Sequence, residues 1–256
     1  MIEGNLHQAL LSFSPVSLKE LDQVEFMNRV DTKFLFPVSI FPAILEEMKS
    51  HYLVLEINSN RIFQYTTTYF DDNQFNLYYA HHNGRLNRYK IRHRTYLDSG
   101  KSFLEMKFKS NKSRTIKKRD ACTTEDLKNG TFVRFLNKHT PYDPAEFHES
   151  LTNHFSRITF VNKEFSERLT FDIGLAFSNT GKNIELPDFG IAEIKNERKW
   201  TSSHFSRFVK QFGLRKSGFS KYAFGCTMLF PDLKTNRFKK THLQINKLHH
   251  DITTIS

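Results

Sequence analysis

Residues 85–119 read RLNRYKIRHRTYLDSGKSFLEMKFKSNKSRTIKKR, a run in which charged and apolar residues alternate. Side chains two apart on a strand share a face. In Lys90-Ile91-Arg92-His93-Arg94 three cations therefore share one side, and in Glu105-Met106-Lys107-Phe108-Lys109 an acid and two cations do. Lys117 and Arg119 repeat the pattern, and Asp98-Ser99-Gly100-Lys101 has the composition of a tight turn. The reading is three successive strands, 86–97, 102–109 and 114–121, with one cationic face.

The charge is concentrated in the same place. Residues 85–119 hold 13 Lys or Arg and two acids, a net +11, which equals the formal net charge of all 256 residues. The rest of the chain therefore balances. An excess confined to one segment points to a single anionic ligand site more than to a diffuse basic surface. A hydrophobic fraction of 38%, with 26 Phe, supplies a sizeable core and excludes disorder. No apolar run reaches the roughly 18 residues needed to cross a bilayer, and the first residues lack a signal-peptide pattern, so a cytoplasmic location is expected. Cys122 and Cys226 lack metal-type spacing and read as ordinary thiols. The pairs His81-His82 and His249-His250 lack a matching carboxylate or Cys set and read as surface residues.

Outward from this centre, Ser17-Leu18-Lys19-Glu20 has the form of a capping box. A strand over 32–36, a helix over about 40–50, strands over 52–57 and 61–70 around the hairpin turn Asn58-Ser59-Asn60, and a helical link over 73–80 follow. After the cationic strands, a helical insert starts at Thr123. Strands at 152–160, 167–177 and 190–197 and helices at 202–212 and 220–230 complete a single domain, 1–230, before a polar tail, 231–256. Trp200 reads as a core or anchor residue at a helix start.

Glu193 and Lys195 extend the alternating charge to another strand. An open antiparallel sheet with a wet face is the ordinary explanation for such a pattern. A nearly pure cation face with isolated carboxylates, however, is unfavourable without a polyanion between the strands. The expectation is an α+β, mainly β chain: a closed antiparallel β-barrel tunnel of about eight strands with helices packed outside. Arg and Lys around the lumen suit phosphate. Glu193, and less directly Asp31 and Glu105, become candidates to hold Mg²⁺ or Mn²⁺, with the orienting of cations as their other reading.

The ordered motifs Thr32-Lys33-Phe34, Tyr69-Phe70-Asp71, Gly84-Arg85-Leu86, Arg92-His93-Arg94-Thr95-Tyr96, Leu104-Glu105-Met106-Lys107, Lys117-Lys118-Arg119, Arg168-Leu169-Thr170-Phe171-Asp172, Glu193-Ile194-Lys195 and Phe219-Ser220-Lys221-Tyr222 span roughly residues 20 to 230. Together they resemble the VTC (vacuolar transporter chaperone) domain, a polyphosphate polymerase family of the triphosphate tunnel metalloenzyme superfamily. The resemblance implies a tunnel that takes ATP and a divalent cation, usually Mn²⁺, and transfers the γ-phosphate to a growing polyphosphate chain. It implies Lys33, Arg85, Arg92, Arg94, Lys107, Lys117, Arg157 and Lys221 as phosphate ligands, Ser220 as a helper beside Lys221, and Glu193 as metal ligand. Arg119 and Lys195 join them on the alternation alone.

The sequence also departs from the family's pattern. Arg29-x-Asp31-x-Lys33 keeps one acid where the wider superfamily has two, Phe155 stands where the family uses a Tyr, and Gly218 stands where a Lys is expected. A tripolyphosphatase or nucleoside triphosphatase of the same fold, a non-catalytic polyphosphate-binding module and a nucleic-acid binder are the competing readings; cations placed on several strands weigh against the last. Family relatives act with membrane subunits, so any membrane channel serving this chain is expected to be a separate partner polypeptide.

Overall fold

In the computed structural model, residues 2–22, 30–112, 114–196, 201 and 203–253 are described; Arg29 and Trp200 lie outside them. Among the described residues twelve strands form one sheet. They are β1 (Pro15–Val16), β2 (Val30–Pro37), β3 (Tyr52–Leu55), β4 (Phe63–Asp72), β5 (Arg88–Tyr96), β6 (Lys101–Lys109), β7 (Thr115–Ala121), β8 (Phe147–Asn162), β9 (Glu167–Ser178), β10 (Asn183–Leu186), β11 (Phe189–Asn196) and β12 (Lys216–Ser217). The helices are α1 (Ile2–Leu11), α2 (Leu18–Asp22), α3 (Phe41–Met48), α4 (Asn76–His82), α5 (Thr124–Asp126), α6 (Phe132–His139), α7 (Phe205–Gln211), α8 (Lys221–Leu229) and α9 (Lys239–Thr253). None of them is long and apolar enough to cross a membrane.

The strand order is β12-β2-β11-β9-β8-β4-β5-β6-β7, with β10 also on β9 and β3 also on β8. Pairing is antiparallel except between β1 and β3. The expected closed barrel does not form, because the sheet is open between β7 and β12. The physical reason lies at β2, where one edge is taken by β11 and the other, at Lys33 and Phe34, by the short β12. That leaves β7 no edge to pair with there. The expected hairpin about Asn58-Ser59-Asn60 is reduced to one bridge, Ile57 to Asn60. The 16-residue β8 is long enough to bind β4 and then β3 in succession along its edge.

The two faces of the sheet are covered differently. On the outer face Phe34, Phe36, Phe171, Ala192 and Ile194 pack under α1, α3 and α7, and β5 and β6 set Ile91 and Leu104 against Phe135 and Leu136 of α6. The inner face changes character along each strand. On β2, Asp31 and Lys33 give way to buried Leu35; on β11, Lys195 and Glu193 give way to Ile191 and Phe189. The apolar half of this face is filled by α8, whose Tyr222, Ala223, Phe224 and Cys226 join Leu35, Leu151, Leu175, Phe177 and Ile191 in one cluster. The charged half stays open.

Helix ends follow the sequence. Ser17 and Glu20 form the expected capping box, with Ser17 N donating to Glu20 at 2.8 Å, and Thr123 and Asp126 form a second one at α5. The polar segment after Pro231 packs onto the domain through α9, whose Ile245 is buried in the α8 cluster.

Candidate functional site

A cavity of about 480 Å³ occupies the charged half of the inner face. Strands far apart in the sheet meet around it. Asp31 and Lys33 come from β2, Lys90, Arg92 and Arg94 from β5, Glu105 and Lys107 from β6, Lys117, Lys118 and Arg119 from β7, Arg157 from β8, Glu193 and Lys195 from β11, and Ser220 and Lys221 from the start of α8. The sheet must therefore curl until β6 and β7 stand opposite β2 and β11. Eleven Lys or Arg and three acids line the space. Of the site residues expected from the sequence, Arg85 alone is not in the lining; it is exposed in the loop before β5, and its carbonyl accepts a hydrogen bond from Arg88.

Three carboxylates at or behind the cavity wall, Glu193, Glu105 and Asp172, hold cations in place. Glu193 accepts from Lys33 Nζ at 3.2 Å and pairs with Lys195 Nζ at 3.0 Å. Arg92 Nε donates to Glu105 at 2.5 Å. Asp172, just behind the wall, takes a bidentate pair from Arg157 at 2.6 and 2.7 Å and a further bond from Lys221. These bonds set guanidinium and ammonium groups in fixed positions before any anion arrives, which is the geometry that favours phosphate recognition.

Burial of charge shapes the electrostatics. Burial would raise the Glu193 carboxyl, but the ammonium groups of Lys195 and Lys33 outweigh it and hold it well below the usual range. Asp172 behaves likewise under Arg157 and Lys221. Lys90, which donates to Ser220 Oγ at 2.6 Å, is pushed down to about 7 by burial and then by Lys107, Lys33 and Arg92. Lys221 is pushed down to about 8 by burial, which Asp172 only partly opposes. Lys107, although open to the cavity, also falls to about 8, through partial loss of solvent and then its neighbours Lys117 and Lys33. A cavity bordered by lysines this reluctant to carry charge favours a polyanion.

Phe155, at the place of the family Tyr, lies against Tyr65 with planes 8° apart and presents its face to Lys221 Nζ at 3.9 Å. It steadies the ammonium by cation–π contact in place of a hydroxyl. Gly218 has nothing within 4 Å of where a Cβ would stand.

Among the described residues no three His, Cys, Asp or Glu gather as a metal cage. The donor set fits a hard divalent ion in a narrower way. Asp31 opposes Lys195 and Glu193 opposes Lys33 in register, so the two carboxylates are diagonal neighbours on adjacent strands, and both line the cavity. One or two carboxylates completed by phosphate oxygens is the usual arrangement for Mg²⁺ or Mn²⁺.

Sequence reasoning did not assign Asp172, Lys90, Lys118 or Tyr69 to the site. Lys90 stood on the alternating cation face and was legible there. Asp172, a carboxylate between Phe171 and Ile173 on β9, signals a buried partner but not which cations meet it.

No curated protein matches the chain by sequence. The chain is similar in structure to a Hippeastrum protein described as an adenylyl cyclase candidate with a dominant triphosphatase activity, at 14% identity and a TM-score of 0.52, over 80% of this chain and 97% of that one. It is also similar to a Vibrio parahaemolyticus protein described as an adenylate cyclase candidate, at 14% identity and a TM-score of 0.47, over 79% and 99%. At this identity the first likeness shows a common fold. The VTC domain profile matches residues 28–230, about four fifths of the chain. With the fold, the inner cationic cavity and this match in agreement, the chain belongs to the VTC-domain family.

Proposed function

We infer that this domain is a polyphosphate polymerase that transfers the γ-phosphate of ATP to the end of a polyphosphate chain inside the cavity. The observation that supports it most is the convergence of cations from six strands and one helix on a single space. Phosphoryl transfer asks the protein for positioning and charge neutralisation more than for covalent chemistry.

In this reading Arg92 and Arg94, with Lys33, Lys107, Lys117 and Lys221, grip the triphosphate, and Arg119, Arg157, Lys195 and Ser220 hold the acceptor chain. A terminal oxygen of the acceptor attacks the γ-phosphorus, the bond from that phosphorus to the bridging oxygen breaks, and ADP leaves. Glu193 and Asp31, with phosphate oxygens, would hold Mn²⁺ or Mg²⁺, which neutralises charge on the triphosphate and fixes its conformation. Glu105 and Asp172 keep Arg92, Arg157 and Lys221 aimed while the phosphates exchange. Lys90 gains its proton fully as the anion enters. Passage of product across a membrane falls to a separate partner subunit, and nucleic acid is not a substrate.

The test is incubation of the purified chain with ATP and Mn²⁺, with products resolved on a gel. Long polymer that disappears in Arg92→Ala supports the reading. Free phosphate without polymer would overturn it in favour of hydrolysis.

A further inference from the structure

Arg88 and Lys109 oppose each other in register on β5 and β6, one two-residue step beyond Lys90 and Lys107. Two residues advance a strand by about 6.6 Å. The pair therefore continues the cationic face beyond the residues that line the cavity.

A third cation arrives from outside the family domain. Arg237 sits in the turn Asn236–Phe238, past residue 230 where the VTC match ends. Its guanidinium rests against Gly84, where a Cβ would lie 2.6 Å from Arg237 Nη1, and the φ of +69° there suits glycine as well. Phe238 stacks on His81 of α4 with ring centroids 6.1 Å apart and planes 3° apart, which ties the turn to the domain.

Among the described residues none of Arg88, Lys109 and Arg237 makes an ion pair with a carboxylate. Within the cavity Lys33, Arg92, Arg157, Lys195 and Lys221 each have such a partner. The three charges share one field. Burial and then Lys90, Arg88, Arg237 and Lys109 drive His81 down to about 2, so it stays neutral, and its buried Nδ1 has no hydrogen-bond partner. Like charges gathered without an acid are unfavourable unless an anion lies among them.

We propose that Arg88, Lys109 and Arg237 form a second anion subsite outside the cavity, which holds the distal phosphates of a linear polyphosphate whose end lies in the cavity. The proposal rests on the reading of the cavity as a phosphate site. Its consequence is that the segment after the family domain controls how strongly long chains are retained, and hence processivity, while short ligands do not feel it.

Arg237 and Lys109 are exposed, so Arg237→Gln with Lys109→Gln leaves the core untouched; an unchanged circular-dichroism melt checks this. The full chain and the double variant are titrated by calorimetry with tripolyphosphate and with long-chain polyphosphate. The expected result is a loss of roughly tenfold or more in affinity for the long chain only, since a second contact on one ligand acts as avidity. Wild-type affinity for the long chain in the double variant overturns the proposal. Equal losses for both ligands overturn it too, because the residues then belong to the cavity site. Equal losses for a single-stranded nucleic acid of matched length overturn the assignment to polyphosphate. If the wild-type chain binds no tripolyphosphate, the cavity reading fails and takes this one with it, a pattern distinct from the other three.

Discussion

At Asp172 one carboxylate, 3% exposed, serves two cations, Arg157 and Lys221. Removing its charge leaves both without a counter-ion in a partly buried wall. Asp172→Asn is expected to lower stability by about 3 kcal/mol or more, read from urea denaturation near neutral pH, with the loss reduced when tripolyphosphate is added. An unchanged urea midpoint would show that the pair is not what holds these cations. The lysines add a pH signature. Lys90 near 7 and Lys107 and Lys221 near 8 lie below the roughly 10.4 of an unfolded lysine. Across that window the unfolded chain binds more protons, so the stability contribution of these groups in the empty protein rises with pH from about 7 to about 10. Anion binding acts in the opposite sense and restores their protons. Calorimetry of tripolyphosphate binding at pH 8 in buffers of different ionisation enthalpy is expected to show net proton uptake, and heats independent of buffer would refute this.

At the scale of the element, α8 brings Ser220 and Lys221 to the cavity because three features fix its position. Ser220 Oγ accepts from Ala223 N at the helix start, and buried Tyr222 OH donates to Asp71, which also accepts from Leu77 N and Tyr78 N at the start of α4. Gly225 lets the helix lie close on the sheet: a Cβ there would meet Phe177 at 2.6 Å and Leu151 at 3.2 Å. Helix propensity alone favours Gly225→Ala by about 1 kcal/mol, whereas overpacking against a rigid buried ring costs about 1–3 kcal/mol. The contact is expected to prevail and the variant to melt lower; a higher melting temperature would mean that α8 is not held this tightly. The same element shows what was legible beforehand. A helix over 220–230 is expected from the sequence, but its place inside the curl is not, because the partners Phe177 and Leu151 lie some fifty or more residues away in the chain. The failed hairpin at Asn58 has a similar cause: its turn residues do adopt positive φ, 50° and 62°, yet the long edge of β8 outcompetes the pairing of β3 with β4.

Across the whole molecule, eleven cations around one space work against folding until an anion neutralises them. Tripolyphosphate is therefore expected to raise the thermal midpoint in proportion to its occupancy, strongly in low salt and much less near 1 M salt, where the screening length falls to about 3 Å. A midpoint indifferent to tripolyphosphate would argue against a phosphate ligand. The open sheet is compatible with this design, since β7, at one end of the strand order, brings Lys117, Lys118 and Arg119 to the cavity.

Alternation along residues 85–119 is enough to set Arg92, Arg94, Lys107, Lys117 and Arg119 on one face, and the isolated charge excess is enough to raise the expectation of an anionic ligand there. Both are local properties, set by the two-residue period of a strand and by counting charges. It takes long-range packing to give β2's second edge to β12 and leave the sheet open, to place Arg85 outside the cavity, and to set Asp172 between Arg157 and Lys221. The same packing brings Arg237 from the polar end of the chain against Gly84. These outcomes depend on which distant segments compete for the same edge or the same space, and that competition is settled by packing, which no local pattern of residues encodes.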